Sequence, residues 1–574
     1  MKVYSIISYF LLTFISQSIF SKAYAQEKSG KIIYKTIVNG QESARAGKTE
    51  VIYHEGVATI KRTETKGAEL IPTVPDEAAF IDYNTSKLMQ LAILNTGSRF
   101  HTSKAFSELP ELEITDERQE ILGYTCQKAT IVLFSNRIDL WFTGETGLQG
   151  SPYPNAGLPE GVVLKSVRNG NYEIVAEKVE YIKQKKMEKL LPDDLGELVD
   201  ATIYKARITD NYVTTVPVFD HEQINWGNKS VNPEKETTDI TYHFAGGTVI
   251  AKKVKLPEVA EDYTVFAEII QYSSGDAYDR TGSVFLIPTE KESSFLDGLR
   301  NGKEVLPKYI DMNGKEFQGV VATENYEPAL EMVRFFTAFG TQAFNEKRTV
   351  AGLTWKDSTV YKQDVTYLLP KLQGEVWIGA FIGNYDGGGH NLSLKLQYHP
   401  GSNRVQKEEV KKQWIKPLFN TLNLMEMAGQ EYGTMFNGDS LKVSFDVPAG
   451  LKNVRMEYIS TGHGGWGGGD EFNQKLNEIF LDGDKVYTYI PWRSDCATYR
   501  EFNPASGNFW NGISSSDLSR SGWCPGTATN PVTIPLTELK EGKHSMQIAI
   551  PLGEREGGSF SAWNISGVLI GEFE

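Results

Sequence analysis

Three stretches of this chain hold carboxylates or guanidinium groups in or beside glycine-containing loops, where they can do chemistry. The first, Asp276-Ala277-Tyr278-Asp279-Arg280, leads into an apolar stretch at 283–287. A carboxylate and a guanidinium in a loop at a strand end stand where function is carried. The same pair is also an ordinary exposed ion pair or turn cap. The second, Thr461-Gly462-His463-Gly464-Gly465-Trp466-Gly467-Gly468-Gly469-Asp470-Glu471-Phe472, crowds glycine around His463, Trp466, Asp470 and Glu471. Glycine lets backbone approach a ligand closely, and Trp466 offers a flat face to a sugar ring. The plain alternative is a flexible hairpin loop. The third, Ser519-Arg520-Ser521-Gly522-Trp523-Cys524-Pro525-Gly526, presents Arg520 and Trp523 on a loop that a bridge at Cys524 would fix. It reads equally as a stapled turn around a buried tryptophan.

Other chemistries lack their residues. The eight histidines show no metal-ligand spacing, so neither a His-Glu-x-x-His helix nor a Cys/His zinc pattern can be written. There is no Gly-x-Ser-x-Gly elbow, no glycine-rich phosphate loop after a strand, and no cysteine in a nucleophile motif. No metal or cofactor is expected. A net charge of -14, without clustered Lys and Arg, argues against nucleic acid or an anionic membrane as partner and favours an uncharged or polar substrate.

The elements that must position these residues are strands. Leu392, Leu394, Leu396 and Tyr398 alternate with polar residues, as do Leu441, Val443, Phe445 and Val447, and Met546, Ile548 and Ile550. Glycine-rich connections such as Asp386-Gly387-Gly388-Gly389 separate them. Helices are expected only at 193–206 and 326–344, where apolar residues recur at three- and four-residue spacing. With no fixed repeat and no strand–helix alternation, the chain reads as mainly antiparallel β, in sandwiches or jelly rolls.

A chain of 574 residues should form about three folding units. The basic run Lys183, Lys185, Lys186 and Lys189, followed by Pro192-Asp193-Asp194, marks one boundary, and the polar stretch 399–412 marks another. The expected organisation is a β-rich accessory domain at 26–182, a linker with a short helix at 183–212, and β domains at 213–400 and 401–574. Ahead of these, Lys2, the apolar stretch 6–15 and Ala23-Tyr24-Ala25 read as an export signal spanning 1–25. No later apolar run reaches the roughly 20 residues that span a bilayer, so a secreted or periplasmic product is expected. Export allows a disulfide. Cys496 and Cys524 share the C-terminal region while Cys126 stands alone, so the expected bridge is Cys496–Cys524, with three buried thiols as the alternative.

Together, Tyr278-Asp279-Arg280, the Gly462-His463 loop leading to Glu471, and Ser521-Gly522-Trp523-Cys524-Pro525-Gly526 resemble the peptide:N-glycosidase F family over roughly 213–574. The added N-terminal part resembles the long form of that family, its second type. Within that part, Asp139-Leu140-Trp141-Phe142-Thr143 and Gly157-Leu158-Pro159 resemble secreted bacterial β-rich domains.

The resemblance implies two adjacent antiparallel jelly-roll β-sandwich domains, with an active site in the cleft between them, preceded by an additional β-rich N-terminal domain. It implies a monomeric amidase without cofactor that acts on N-linked glycopeptides and glycoproteins, releasing a glycosylamine and leaving aspartate for asparagine. Asp279 resembles the primary catalytic aspartate, Glu471 the second carboxylate, Arg280 a substrate-binding arginine, and Arg520 with Trp523 the loop contacts. His463, Trp466, Asp470 and Asp386 complete the implied binding set. Two departures stand out. The family's further acidic residue, on a strand shortly before a tryptophan, has no clean counterpart: the region 377–390 offers Gly383, Asn384, Tyr385 and Asp386. Only one of the family's disulfides can form, Cys496–Cys524. Two other readings use the same residues: a carbohydrate-binding β-sandwich that works through Trp466 and Trp523 without catalysis, and a glycoside hydrolase built on the two carboxylates.

Overall fold

Alternating burial makes most of this chain into antiparallel strands. In His390–His399 the residues Leu392, Leu394, Leu396 and Tyr398 face the core while those between them lie nearer solvent. Ser440–Val447 and Gly542–Ala549 follow the same rule through Leu441, Val443, Phe445, Val447, Met546 and Ile548. The computed structural model describes residues 28–573 except 44–46, 64–74, 95, 184–186, 228–230, 233–235, 239, 341–351, 353, 401–411, 431–432, 437, 465–468, 505–513, 537 and 553–560. The export segment, Lys185, Lys186 and Trp466 therefore lie outside the described residues. The chain divides into two compact units, Met1–Tyr212 and Val213–Glu574.

The first unit is one large sheet of 13 strands, with Ile32, Tyr34, Val51, Tyr53 and Leu164 in its core. Its pairings are antiparallel except where the short strand Glu197–Leu198 joins Arg99–Ala105. The helix expected at 193–206 instead spans Ala201–Tyr212. Residues before it are drawn into that strand, and Asp200 sets the start: its Oδ1 accepts the Thr202 and Ile203 amides at 2.8 and 3.0 Å, which closes the first turn. Tyr204 then fastens the helix to the sheet, donating to Glu77 at 2.7 Å and meeting Phe100 edge-on.

The second unit holds two sandwiches. In the first, the sheet Thr214–Ile224, His390–His399, Thr264–Ser273, Thr359–Asp364 packs on the sheet Thr241–Phe244, Val249–Leu256, Gly374–Ile382, Thr281–Ile287, Leu330–Phe336, Ala528–Thr529. In the second, Gln413–Asn420, Ala562–Phe573, Leu451–His463, Val532–Pro535 faces Ser440–Val447, Gly542–Ala549, Asn477–Leu481, Asp484–Tyr489, around Met456, Tyr458, Ile548 and Trp563. All pairings in these four sheets are antiparallel.

The helix expected at 326–344 is not formed over the described part of that range; it is the strand Leu330–Phe336, with every residue buried. Its sheet is covered on both faces. One side packs into the sandwich core, and the other meets a cluster that includes Phe295 and Leu296 of the short helix Phe295–Asn301. A strand buried on both faces carries apolar residues at consecutive positions, so the two-residue period that identifies a strand is lost.

The same strand joins the two sandwiches. Its edge pairs with Ala528–Thr529, contributed from the C-terminal half of the chain. From it, Arg334 donates to Glu331 through Nε at 3.1 Å and Nη2 at 2.7 Å, and through Nη1 to Thr461 Oγ1 at 3.1 Å and the Asn564 carbonyl at 2.6 Å. Glu331 also accepts from Ser283 at 2.8 Å and Ser566 at 2.5 Å, so partners come from both sandwiches. Neither side chain of the pair is more than 1% exposed. Breaking such a pair strands a buried charge. Arg334→Leu should therefore lower the unfolding free energy of the second unit by about 3–5 kcal/mol, measured by urea titration.

Candidate active site

The Asp279 loop, between strands Thr264–Ser273 and Thr281–Ile287, is shaped by a residue three positions earlier. Asp276 Oδ1 accepts the Tyr278 amide at 3.0 Å, and its Oδ2 accepts Arg280 Nε at 2.7 Å. Burial pushes the Asp276 carboxyl up, but His390, whose Nε2 lies 3.8 Å away, and the hydrogen bonds from Arg280 and the Tyr278 amide outweigh it and hold the group at about 2. It is a fixed anion. Thr337 clamps the other side: its Oγ1 accepts the Arg280 amide at 2.8 Å and donates to the Tyr278 carbonyl at 2.8 Å, while its amide donates to the Arg280 carbonyl at 2.9 Å. Asp279 is thus held at a set position, and the Arg280 guanidinium lies against the half-exposed rings of Tyr278 and Tyr385.

Glu471 comes from the other sandwich. Beyond the end of Leu451–His463, the Glu471 amide donates to the Gly464 carbonyl at 3.3 Å, and its own carbonyl accepts the Ser521 amide at 2.9 Å. That second bond ties it to the loop carrying Arg520. Arg520 Nη1 lies 3.1 Å from Asp279 Oδ2 and contacts Glu471 Oε1 directly. One guanidinium nitrogen therefore serves both carboxylates.

Arg520 is 1% exposed, so its charge must be met inside the protein. Nη2 donates to the Ser515 carbonyl at 3.0 Å, and the Trp523 ring lies under the guanidinium at 4.3 Å. Trp523 is fixed in turn by Phe336, stacked at 4.2 Å, and by Nε1 donating to the Gly462 carbonyl at 2.9 Å. The Cys496–Cys524 disulfide closes the base of this loop, as the cysteine distribution predicts. Cys126 is a buried free thiol, pushed up to about 11 by burial and by Glu145.

The carboxylates face a cleft of about 360 Å³ lined by Asp279, Arg280, Tyr385, Glu426, His463 and Glu471, among others. Burial is the main force on both. It raises Asp279 against the opposing pull of Arg520. It raises Glu471 to about 7, with Arg520 again opposing and Asp279 adding to the rise. His463 is pushed down to about 3 by burial and by the charges of Arg334 and Arg520, so its ring is neutral.

Asp279, Glu471, Arg280 and His463 thus share one cleft, and four other expected substrate contacts do not reach it in that role. Arg520 is buried between the carboxylates, a clamp rather than a ligand for sugar. Trp523 is 3% exposed and offers no face to a ring, because Phe336 and Arg520 cover it. Asp470 turns inward, accepting Trp563 Nε1 at 2.9 Å. Asp386 caps its own turn, accepting the Gly388 and Gly389 amides at 2.7 and 3.0 Å. Glycine is required there: Gly389 has φ +59°, and a Cβ would lie 2.3 Å from the Ile224 carbonyl oxygen. Trp466 lies outside the described residues. Conversely, Asp276, Thr337 and Glu426 belong to the site without having been singled out. Asp276 had a local signal, its four-residue spacing from Arg280; Thr337 and Glu426 reach the site only through the fold.

Sequence profiles divide the chain as the strands do. The one described as Peptide-N-glycosidase F, N terminal, matches residues 215–398, and Peptide-N-glycosidase F, C terminal, matches 431–570. A third, described as N-glycanase peptide, N-terminal domain, matches 32–206. A solved structure of PNGF-II is 43% identical, with a TM-score of 0.85 over 95% of this chain and 100% of its own. This chain belongs to the peptide-N-glycosidase F family. A second crystal form of PNGF-II gives 43% identity and a TM-score of 0.82 over 95% of this chain and 98% of its own. No curated protein sequence matches. Membership places the chain within a family of peptide-N-glycosidase F amidases, and its N-terminal part matches the family's N-terminal domain as well.

The raised Glu471 carboxyl has a measurable consequence for this family member. Its folded value of about 7 lies above the ordinary 4.5, so the native state keeps a proton that the unfolded chain has released between those values. Its favourable contribution is present below the lower value and is lost as pH rises through the upper one. Glu471→Gln removes that loss. The difference in Tm between Glu471→Gln and the parent should therefore move in the variant's favour between about pH 5 and about pH 8, in calorimetric scans at both.

Proposed function

We propose that this protein hydrolyses the amide bond between an N-linked glycan and its asparagine, releasing the glycan as a glycosylamine and leaving aspartate. The observation that carries the reading is a single buried guanidinium nitrogen touching Asp279 and Glu471, each from a different sandwich, at one cleft. Amide hydrolysis needs a group to take a proton from water and one to give a proton to the departing nitrogen. Asp279, beside Arg520 and Arg280, suits the first task. Glu471, held at about 7, carries a proton near neutral pH and suits the second. Water oxygen then bonds to the asparagine side-chain carbon as the carbon–nitrogen bond breaks. Asp279 takes the water proton and Glu471 supplies one to the nitrogen. The glycosylamine afterwards loses ammonia in water.

Family membership supports the same chemistry, and neutral glycopeptides suit a cleft lined by tyrosine and histidine beside the charges. The export-like start of the sequence and a disulfide fit action outside the cytoplasm. A sugar-binding protein without catalysis is disfavoured by the burial of Trp523.

Mass analysis of a treated N-glycopeptide in isotopically heavy water tests the reading. The expected product is a peptide with heavy oxygen in a new aspartate; sugar left on asparagine would mean a glycoside hydrolase, and an unchanged peptide a binding protein. Asp279→Asn keeps the side chain's size while removing its charge. It should keep a parent-like circular dichroism spectrum and release glycan about 10²-fold more slowly or worse, and near-normal turnover would remove Asp279 from the mechanism.

A further inference from the structure

His463 ends the strand Leu451–His463 and lines the cleft with Asp279 and Glu471. Phe336 and Trp523 stack against its ring at 29°, with centroids at 5.7 and 5.5 Å, and hold the plane. Its Nε2 is 2.9 Å from Thr461 Oγ1, and that hydroxyl is 3.1 Å from Arg334 Nη1. An arginine donates and never accepts, so the Thr461 oxygen must accept from Arg334. The hydroxyl's own hydrogen must then go elsewhere. Thr461 is 0% exposed, and among the described residues His463 Nε2 is the acceptor within reach. A buried hydroxyl left without an acceptor is strongly disfavoured. Nε2 therefore accepts, and the proton of the neutral ring resides on Nδ1.

We infer that the chain of hydrogen bonds from Arg334 through Thr461 fixes His463 as a neutral Nδ1–H donor, which gives a hydrogen bond to a carbonyl oxygen of the substrate in the cleft. Thr461 and Arg334 are then positioning residues acting through His463. The substrate half of the inference rests on the amidase reading of the cleft; the tautomer does not. The arrangement has a chemical logic. A neutral N–H can stabilise charge growing on a carbonyl oxygen without giving up its proton and without drawing Asp279 or Glu471 into an ion pair. Burial and the charges of Arg334 and Arg520 keep the ring from becoming imidazolium.

The test is nitrogen-15 spectroscopy of histidine-labelled full-length protein at neutral pH, with the His463 signals assigned by their loss in His463→Ala. The expected spectrum has a protonated Nδ1 and a hydrogen-bonded, unprotonated Nε2. Thr461→Val removes the hydroxyl at nearly constant volume and should abolish this fixed pattern; Thr461→Ser should retain it. On an N-glycopeptide, Thr461→Val should lower kcat about tenfold or more, short of the roughly 10²–10³-fold for a donor removed outright because the ring remains, while Thr461→Ser stays within about twofold of the parent. A proton on Nε2 in the parent protein, or an unchanged pattern in Thr461→Val, would overturn the relay. Full turnover in Thr461→Val with the tautomer released would overturn the donor role. If Thr461→Val fails to fold, the parent spectrum still decides the tautomer, and Thr461→Ala, which also lacks the hydroxyl, decides its dependence on Thr461. Failure of the parent to release any glycan would sink the amidase reading alone, because the spectrum decides the tautomer independently.

Discussion

Two carboxylates cannot sit together in a partly dry cleft without a compensating charge, and here that charge is Arg520. Unlike charges about 4 Å apart attract by roughly 4 kcal/mol at the effective dielectric of a protein site. Like charges at that distance repel by as much, which would force a proton onto one of the two carboxyls. With Arg520 Nη1 touching both, the guanidinium opposes the rise that burial imposes on Asp279 and on Glu471, which titrates at about 7. Much of the surrounding structure follows from burying that guanidinium. Trp523 and Phe472 cover its faces, the Ser515 carbonyl takes one of its hydrogens, and the Cys496–Cys524 bridge fixes the loop four residues on.

A shared arginine also requires that the two sandwiches keep a fixed relation, since Asp279 belongs to one and Glu471 to the other. The strand Leu330–Phe336 supplies it. It takes a pairing partner from the C-terminal half and carries Glu331 and Arg334, whose hydrogen bonds run into both sandwiches. Its following residue, Thr337, clamps the Asp279 loop. The seam between the sandwiches and the shape of the site are thus built from one element. Arg334 ends at Thr461, and Thr461 ends at His463, so the seam also reaches the chemistry.

Much of this was legible in the residues. Alternation at 392–398 and 441–447 marked strands because each has one buried face and one wet one. The same test failed at 330–336, where both faces are covered and the apolar residues run together. The helix near 200 was detectable from its spacing, but its start depended on Asp200 capping and on the residues before it pairing with a distant strand. Aromatic residues in glycine-rich loops invited a sugar-stacking role. Trp523 shows why that inference needs a structure: the same large flat side chain serves equally well as the floor under a buried cation.

The sequence by itself determined the strand-rich class and the three stretches that carry Asp279, Glu471 and Arg520, and made Cys496–Cys524 the expected bridge, because each is written locally in spacing, composition or chain position. Tertiary structure alone decided what those groups do to one another. Glu471 reaches about 7, and His463 is held neutral, through burial and through charges lying far off in the chain, and no local pattern encodes either. Asp470 and Glu471 are neighbours of the same charge type, yet one turns inward to Trp563 and the other faces the cleft. Which way each points is set by the packing of strands nearly a hundred residues apart, and that exists only once the chain has folded.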